Sequence, residues 1–364
     1  MKPLKICFIS LNSYPLFLKK STGYFGGAEV QISLIVKELM RDKKFEVSLI
    51  VGDYGQNKIV KKGRLTIYKS LDKNEYIMLS FLKAFITMVK IKADVFVART
   101  ANPLAGVVAI FCKLFNKKFV YMAAHEWDCQ KDFGNYLKNI RKLFFRLGLI
   151  QADLIIVQTK TQQKNLKKDF GLSSQLMASV IKPWKLKKTF KREFILWVSR
   201  ADDWKRPLSY IKLAKKIPQQ KFVMICRQGK DIKLFNQVKK QAKFQSNLKF
   251  LPVIPIEEIM RFFAKAKLFI NTSEEEGFPN TFLQAGMTKT PVLSLKVNPN
   301  QYFNKYNCGL VADNKQKQMT KLCYKMLNNP KMLAIMGDNH YDYVKKNHSF
   351  KNINIFKQVL LELF

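Results

Sequence analysis

Acidic residues are scarce in this chain, with 26 Asp and Glu against 65 Lys and Arg over 364 residues, for a formal net charge of +39. Such an imbalance invites a nucleic-acid reading, yet only 10 of the basic residues are Arg. Surfaces that read base sequence favour the bidentate guanidinium fork, and no nucleic-acid-binding motif is present. The excess is also spread evenly, at +19 over residues 1–185 and +20 over 186–364. That pattern fits a compositional Lys bias, or attraction to an anionic membrane or to phosphate-bearing substrates. Histidine is rarer still: three residues without metal-ligand spacing, so no metal is expected. The six cysteines, at 7, 112, 129, 226, 308 and 323, contain no Cys-x-x-Cys pair and suit reduced, buried thiols in a cytoplasmic protein. Glycine occurs in neither a Walker loop nor a Gly-x-Gly-x-x-Gly fingerprint. Long apolar runs are missing too. Tyr76 to Lys90 is 15 residues with an internal Lys, whereas a span needs about 20 apolar residues. Met1 to Leu11 reads as a first strand rather than a signal peptide, and there is no internal repeat.

What is present is alternation. Strand-like runs at 5–11, 45–52, 94–99, 118–123, 153–158, 193–198, 221–226, 247–251, 267–271 and 291–295 alternate with helical patterns, which predicts parallel sheets with crossover helices. Length and a 48% hydrophobic content allow two α/β domains. Periodicity breaks between Gly171 and Arg192, at Pro183 and a cluster of Lys, so the expected domains are 1–185 and 186–349. Two helical patterns could instead contact a membrane surface. In the first, Tyr76 to Lys90, the polar residues Ser80, Lys83, Thr87 and Lys90 form one narrow stripe. The second, Leu137 to Ile150, mixes aromatic and basic side chains. Both also fit helices that cover a sheet.

The run Asn271-Thr-Ser-Glu-Glu-Glu-Gly-Phe-Pro-Asn-Thr-Phe-Leu-Gln-Ala-Gly-Met287 joins a strand to a helix through Gly277 and Pro279. Pro279 suits the first position of a helix. The N–H groups of that first turn, around Asn280 and Thr281, carry the positive end of the helix dipole and can seat a phosphate. Glu276 lies just before the turn and Gln284 one turn beyond Asn280, both able to bind hydroxyls. A capped surface helix of another α/β protein would use similar residues.

These residues resemble the retaining glycosyltransferases of family 4 (glycosyl transferases group 1), whose signature is Glu, seven residues, Glu in a Ser-x-x-Glu-Gly-Phe-Pro-Asn context. The resemblance implies a GT-B fold: two Rossmann-like α/β domains facing each other across a cleft, with a C-terminal helix, here 350–364, crossing back to the first. It places Glu276 on the transferred sugar and Gln284, an amide where the family has a second Glu, on the ribose. Gly277, Phe278, Pro279, Asn280 and Thr281 complete the donor-binding run. In Phe194-Ile-Leu-Trp-Val-Ser-Arg-Ala-Asp-Asp-Trp-Lys-Arg-Pro207 the resemblance assigns Arg200 and Lys205 to the donor diphosphate. A cation about 4 Å from a phosphate oxygen contributes on the order of 4 kcal/mol at an effective dielectric near 20. On the amino-terminal side, Gly26 and Gly27 correspond to a Gly-Gly loop near the donor phosphates, and His125 to a residue near the sugar. Arg99 ends a strand pointing the same way. A serine-hydrolase triad through His125 and Asp128 lacks a nucleophile elbow.

The implied activity is metal-independent, cofactor-free transfer of a hexosyl unit from a nucleoside diphosphate sugar to a hydroxyl acceptor. The acceptor would be a glycan or lipid-linked saccharide of cell-surface polysaccharide synthesis, and the enzyme cytoplasmic, in peripheral contact with the inner face of the plasma membrane. Pro252 and Cys226 stand where the family often has Gly, as Gln284 stands for Glu. They leave open a catalytically silent nucleotide-sugar-binding subunit and, more distantly, a basic nucleic-acid or membrane adaptor.

Overall fold

The computed structural model describes residues 2–18, 25–71, 77–132, 139–184 and 190–364, which form two units: Met1–Val180 with Phe350–Phe364, and Ile181–Ser349. Parts of the expected linker (185–189), of the Gly-rich loop (19–24) and of the two membrane candidates (76 and 137–138) lie outside the described residues.

The first unit runs β1 (Leu4–Ile9), α1 (Gly27–Leu39), β2 (Phe45–Gly52), β3 (Ile59–Lys62), β4 (Leu65–Leu71), α2 (Ile77–Ile91) and β5 (Val95–Arg99). It continues with α3 (Leu104–Leu114), β6 (Lys118–Met122), α4 (Asn139–Ile150), β7 (Leu154–Val157), α5 (Lys160–Phe170) and β8 (Gln175–Leu176). Its eight strands lie in the order β3-β4-β2-β1-β5-β6-β7-β8. All pair in parallel except β3 with β4, an antiparallel pair at the edge of the sheet. Central strands such as Val95–Arg99 are buried along their whole length, as a sheet covered on both faces requires.

One face of this sheet packs under α2, α3 and α4, with Met88, Phe111, Phe145 and Leu149 in the core. Glycine lets α3 and α4 touch backbone to backbone. A Cβ at Gly106 would sit 2.3 Å from the Phe144 carbonyl oxygen, and one at Gly148 2.5 Å from the Ala105 carbonyl carbon.

The second unit runs β9 (Phe194–Ala201), α6 (Pro207–Lys216), β10 (Phe222–Gln228), α7 (Ile232–Lys243), β11 (Leu248–Leu251), α8 (Ile259–Lys265), β12 (Ala266–Asn271) and α9 (Asn280–Met287). After it come β13 (Val292–Ser294), α10 (Tyr302–Tyr306), β14 (Gly309–Val311), α11 (Gln316–Leu327) and α12 (Pro330–Asn347). Its six strands, in the order β11-β10-β9-β12-β13-β14, are all parallel. Arg192 fastens the start of this unit, donating to the Ala266 carbonyl at 2.8 Å, the Thr288 carbonyl at 2.8 Å and Thr290 Oγ1 at 2.7 Å.

The last helix, α13 (Lys351–Leu361), belongs to the first unit, where Ile353, Phe356 and Leu360 are buried beside α1 against the second face of the sheet. All six cysteines are buried and free of disulfides, and burial pushes the Cys226, Cys308 and Cys323 thiols up to about 12.

Candidate active site

In the second unit, two loops at the carboxyl ends of neighbouring strands are laced together. β9 runs three residues further than the sequence run suggested, so Arg200 is in the strand rather than in the loop. Asp202 then leads into one 3-10 turn, Asp203–Lys205. Arg206 adopts a left-handed conformation (φ 47°, ψ 54°) just before Pro207 opens α6. The loop after β12 lies alongside. Glu274 N–H donates to the Trp204 carbonyl at 2.7 Å, and Thr272 Oγ1 to the Lys205 carbonyl at 2.6 Å while accepting Trp197 Nε1 at 2.8 Å.

Side chains close the seam. Lys205 forms an ion pair with Glu276, whose Oε1 also accepts Ser273 Oγ at 2.8 Å. With their side chains only 12% and 14% exposed, this pair is poorly screened by solvent. Arg206 pairs with Glu274 and donates to Asn314. Arg200 sits 2.8 Å from the buried carboxylate of Asp202, whose other oxygen accepts the Lys230 N–H at 3.2 Å. A Cβ at Gly229 would meet the Ala201 carbonyl oxygen and Asp202 Oδ1 at 2.3 Å each, so a small residue is required three positions beyond Cys226.

α9 begins one residue later than expected, because Pro279 is its extended N-cap (ψ 129°) and not its first helical residue. The cap residue, a proline, makes no side-chain hydrogen bond to the helix. Gly277, Phe278 and Pro279 are buried, whereas Glu276, Asn280, Thr281 and Gln284 are half-buried. The Phe278 ring packs at 4.3 Å from His348 and 5.3 Å from Tyr302, so its side chain anchors the loop from beneath. A cavity of about 650 Å³ lies at the opposite, amino ends of β9, β10 and β11, remote from these residues, with Lys221, Lys249 and Arg261 in its wall.

In the first unit Arg99 and His125 flank a buried carboxylate, Asp128. Arg99, ending β5, is 7% exposed, and burial pushes its guanidinium down to about 10 against the opposing charges of Asp128, Tyr121 and Glu29. Asp128 accepts the Ala124 N–H at 2.7 Å and the His125 N–H at 3.2 Å, and burial raises its pKa. His125 caps the 3-10 turn Glu126–Cys129, with its ring 4.0 Å from that of Trp127. Gly26 caps α1 and Gly27 is its first residue, but the Gly26 N–H donates to Glu29 Oε2 at 2.7 Å. That helix tip therefore carries its own carboxylate.

Sequence reasoning missed Glu29, Asp128 as a brace, Asp202 and Ser273. Only the Asp202-Asp203 doublet and the Ser before the Glu triplet offered a signal. Among the described residues, no group of three or more His, Cys, Asp or Glu could hold a metal.

Comparison with known proteins bears on the family and the fold. Residues 181–343 match the family model described as glycosyl transferases group 1. An uncharacterised glycosyltransferase of Methanocaldococcus jannaschii is 22% identical, over 93% of this chain and 96% of that protein. Sucrose-phosphate synthase from Thermosynechococcus elongatus superposes with a TM-score of 0.79 at 14% identity, covering 99% of this chain and 98% of that one. Anabaena HepE, solved with UDP and glucose, superposes at 0.76 with 14% identity over 99% of this chain and all of that one. The fold is GT-B, built from two α/β units whose sheets are parallel but for the β3–β4 edge pair.

Proposed function

From the match of residues 181–343 to the glycosyl transferases group 1 model, we propose that this chain is a family 4 retaining hexosyltransferase using a nucleoside diphosphate sugar. The observation that carries the reading is the Lys205–Glu276 ion pair, which ties the loop after β9 to the loop that opens α9. A bound diphosphate would compete with Glu276 for Lys205, releasing the carboxylate to accept hydroxyls of the sugar. One contact would thus switch partners as the donor arrives.

In the reaction, the bond from the anomeric carbon to the diphosphate oxygen breaks and a bond to the acceptor oxygen forms on the same face. Negative charge grows on the departing diphosphate, where Arg200, Lys205 and the α9 amino terminus oppose it. Because those groups supply the positive charge, turnover should be indifferent to chelators. Gln284 would bridge the ribose hydroxyls with its amide, accepting from one and donating to the other. From the first unit, His125 would contact the sugar, Gly26 and Gly27 the donor phosphates, and Arg99 would serve as brace. The acceptor we favour is a glycan or lipid-linked saccharide of cell-surface polysaccharide synthesis, reached by a cytoplasmic, membrane-peripheral enzyme.

The test is a panel of UDP, GDP and ADP sugars screened for protection against thermal unfolding, followed by a transfer and hydrolysis assay on those that protect. Protection with turnover supports the enzyme. Protection without turnover supports the silent binding subunit, a reading favoured by Gln284 in place of a carboxylate. No protection by any sugar nucleotide sinks both.

A further inference from the structure

The three helices that cover one face of the first unit's sheet are apolar on their outer sides as well as their inner ones. On α2, Ala84 and Met88 are buried against the sheet, and Thr87 Oγ1 lies 3.0 Å from Ser70 Oγ of β4. The polar stripe legible in the sequence is thus partly spent against β4. Solvent instead meets Leu79, Leu82, Ile86 and Val89, exposed by 42% to 56% and spaced at i, i+3, i+7, i+10 along one side of the helix.

Three of those four positions recur on α4, where Ile140, Leu143 and Ile150, at i, i+3 and i+10, are 57% to 65% exposed. Between them, α3 ends in exposed Leu114 and Phe115. These helices form one layer: the Phe81 ring lies 5.4 Å from Phe144, and Phe85 lies 5.1 Å from Phe111 and 5.9 Å from Phe115.

Charge on this layer has one sign. Lys83, Lys90, Lys113, Arg141, Lys142 and Arg146 are its ionisable side chains, and none of the three helices contains Asp or Glu. An apolar surface with cations among its leucines fits a partner that is greasy within and negative at its boundary. A second copy of this chain would set six cations against six more, and a nucleic acid offers the exposed Leu and Ile nothing to bury against. No helix among the described residues is long and apolar enough to cross a membrane, so contact would be in the plane of the surface.

We propose that the outer face of α2, α3 and α4 docks on an anionic lipid bilayer, with the apolar stripes entering the headgroup boundary and the Lys and Arg side chains meeting the lipid phosphates. This deepens the lipid-linked acceptor reading and rests on it for its biological purpose, although the docking itself requires no turnover.

The test is co-sedimentation of the full chain with vesicles of phosphatidylcholine alone or with 30% phosphatidylglycerol, at low and high salt. Wild type should bind the anionic vesicles at least tenfold more than the neutral ones, and lose most of that binding in high salt. Two variants, Leu82→Ser/Ile86→Ser/Leu143→Ser and Lys90→Glu/Lys113→Glu/Arg141→Glu, should each weaken binding at least tenfold while unfolding at the wild-type temperature. Glu276→Gln should bind vesicles as wild type does, which separates a failure of docking from a failure of the glycosyltransferase reading. Equal binding by wild type and both variants, or no binding by wild type, overturns the proposal. So would a wild-type dimer in solution that the triple serine variant turns into a monomer.

Discussion

Helices α2 of the first unit and α7 of the second both lie against a parallel sheet, yet they treat solvent in opposite ways. Beyond its first residue, the exposed Ile232, α7 buries Val238 and Ala242 and presents Lys239, Lys240 and Lys243 outward, as a helix covering a sheet should. α2 buries Ala84 and Met88 and presents leucine, isoleucine and valine outward. Covering a sheet needs a single apolar face, so the second face of α2 reports a further demand on that unit. The units differ in the same way at their candidate sites. Those of the second unit come largely from one continuous stretch, Glu276 to Gln284, whereas those of the first are scattered over three places in the chain, at Gly26-Gly27, Arg99 and His125.

Four measurements would break or sharpen this contrast. The largest effect should come from Glu276→Gln, expected to lower transfer by roughly a thousandfold, in line with loss of a charge-stabilising group from an active site. Its unfolding temperature should stay close to wild type, and an active variant would remove Glu276 from the site. Next, Phe278→Ala empties a ring-lined site and should destabilise the second unit by about 3 to 4 kcal/mol, read as the earlier of two urea transitions. If donor affinity fell with stability unchanged, the ring would be a ligand contact rather than an anchor.

A pH effect should also separate the units. Burial pushes the His340 imidazole down to about 4, and its Nδ1–H faces the Thr290 carbonyl at 3.1 Å. Below the usual value of 6.5, the unfolded chain takes up a proton that the folded unit refuses. Stability present above pH 6.5 should therefore drain away as pH falls toward 4, by about 3 kcal/mol in total. Urea midpoints at pH 7.5 and 4.5 should show this loss in the second unit's transition, and His340→Gln should flatten it. Identical slopes for variant and wild type would refute the assignment. Smallest, Gly106→Ala should cost the first unit about 2 kcal/mol by wedging α3 from α4, leaving the second unit's transition in place.

How far the sequence could be read follows from what each element asks of it. Buried parallel strands such as Val95–Arg99 are nearly continuous apolar runs and stand out at once. The edge strand Ile59–Lys62 ends in two lysines, and Gly309–Val311 is only three residues long, so neither left a pattern to find. Proline's fixed φ serves a helix start and the extended residue before it equally well, which is why Pro279 was placed one residue too far in. Pairing is the least legible layer of all. Lys205 and Glu276 lie 71 residues apart, and only the packing of β9 beside β12 brings their loops into contact. Likewise, Ser80, Lys83, Thr87 and Lys90 read as one polar stripe on α2, yet Thr87 is spent on Ser70 of β4, a partner the stripe itself does not reveal.

The discontinuity of the first unit governs the order in which the protein can be made. Ile353, Phe356 and Leu360 are wholly buried beside α1, but they leave the ribosome only after every residue of the second unit. At ordinary synthesis rates that interval is on the order of ten seconds. For that time the nascent sheet has α1 but not α13 on that flank, so a chaperone would find its work there, and the unit translated second is the one that can finish folding first.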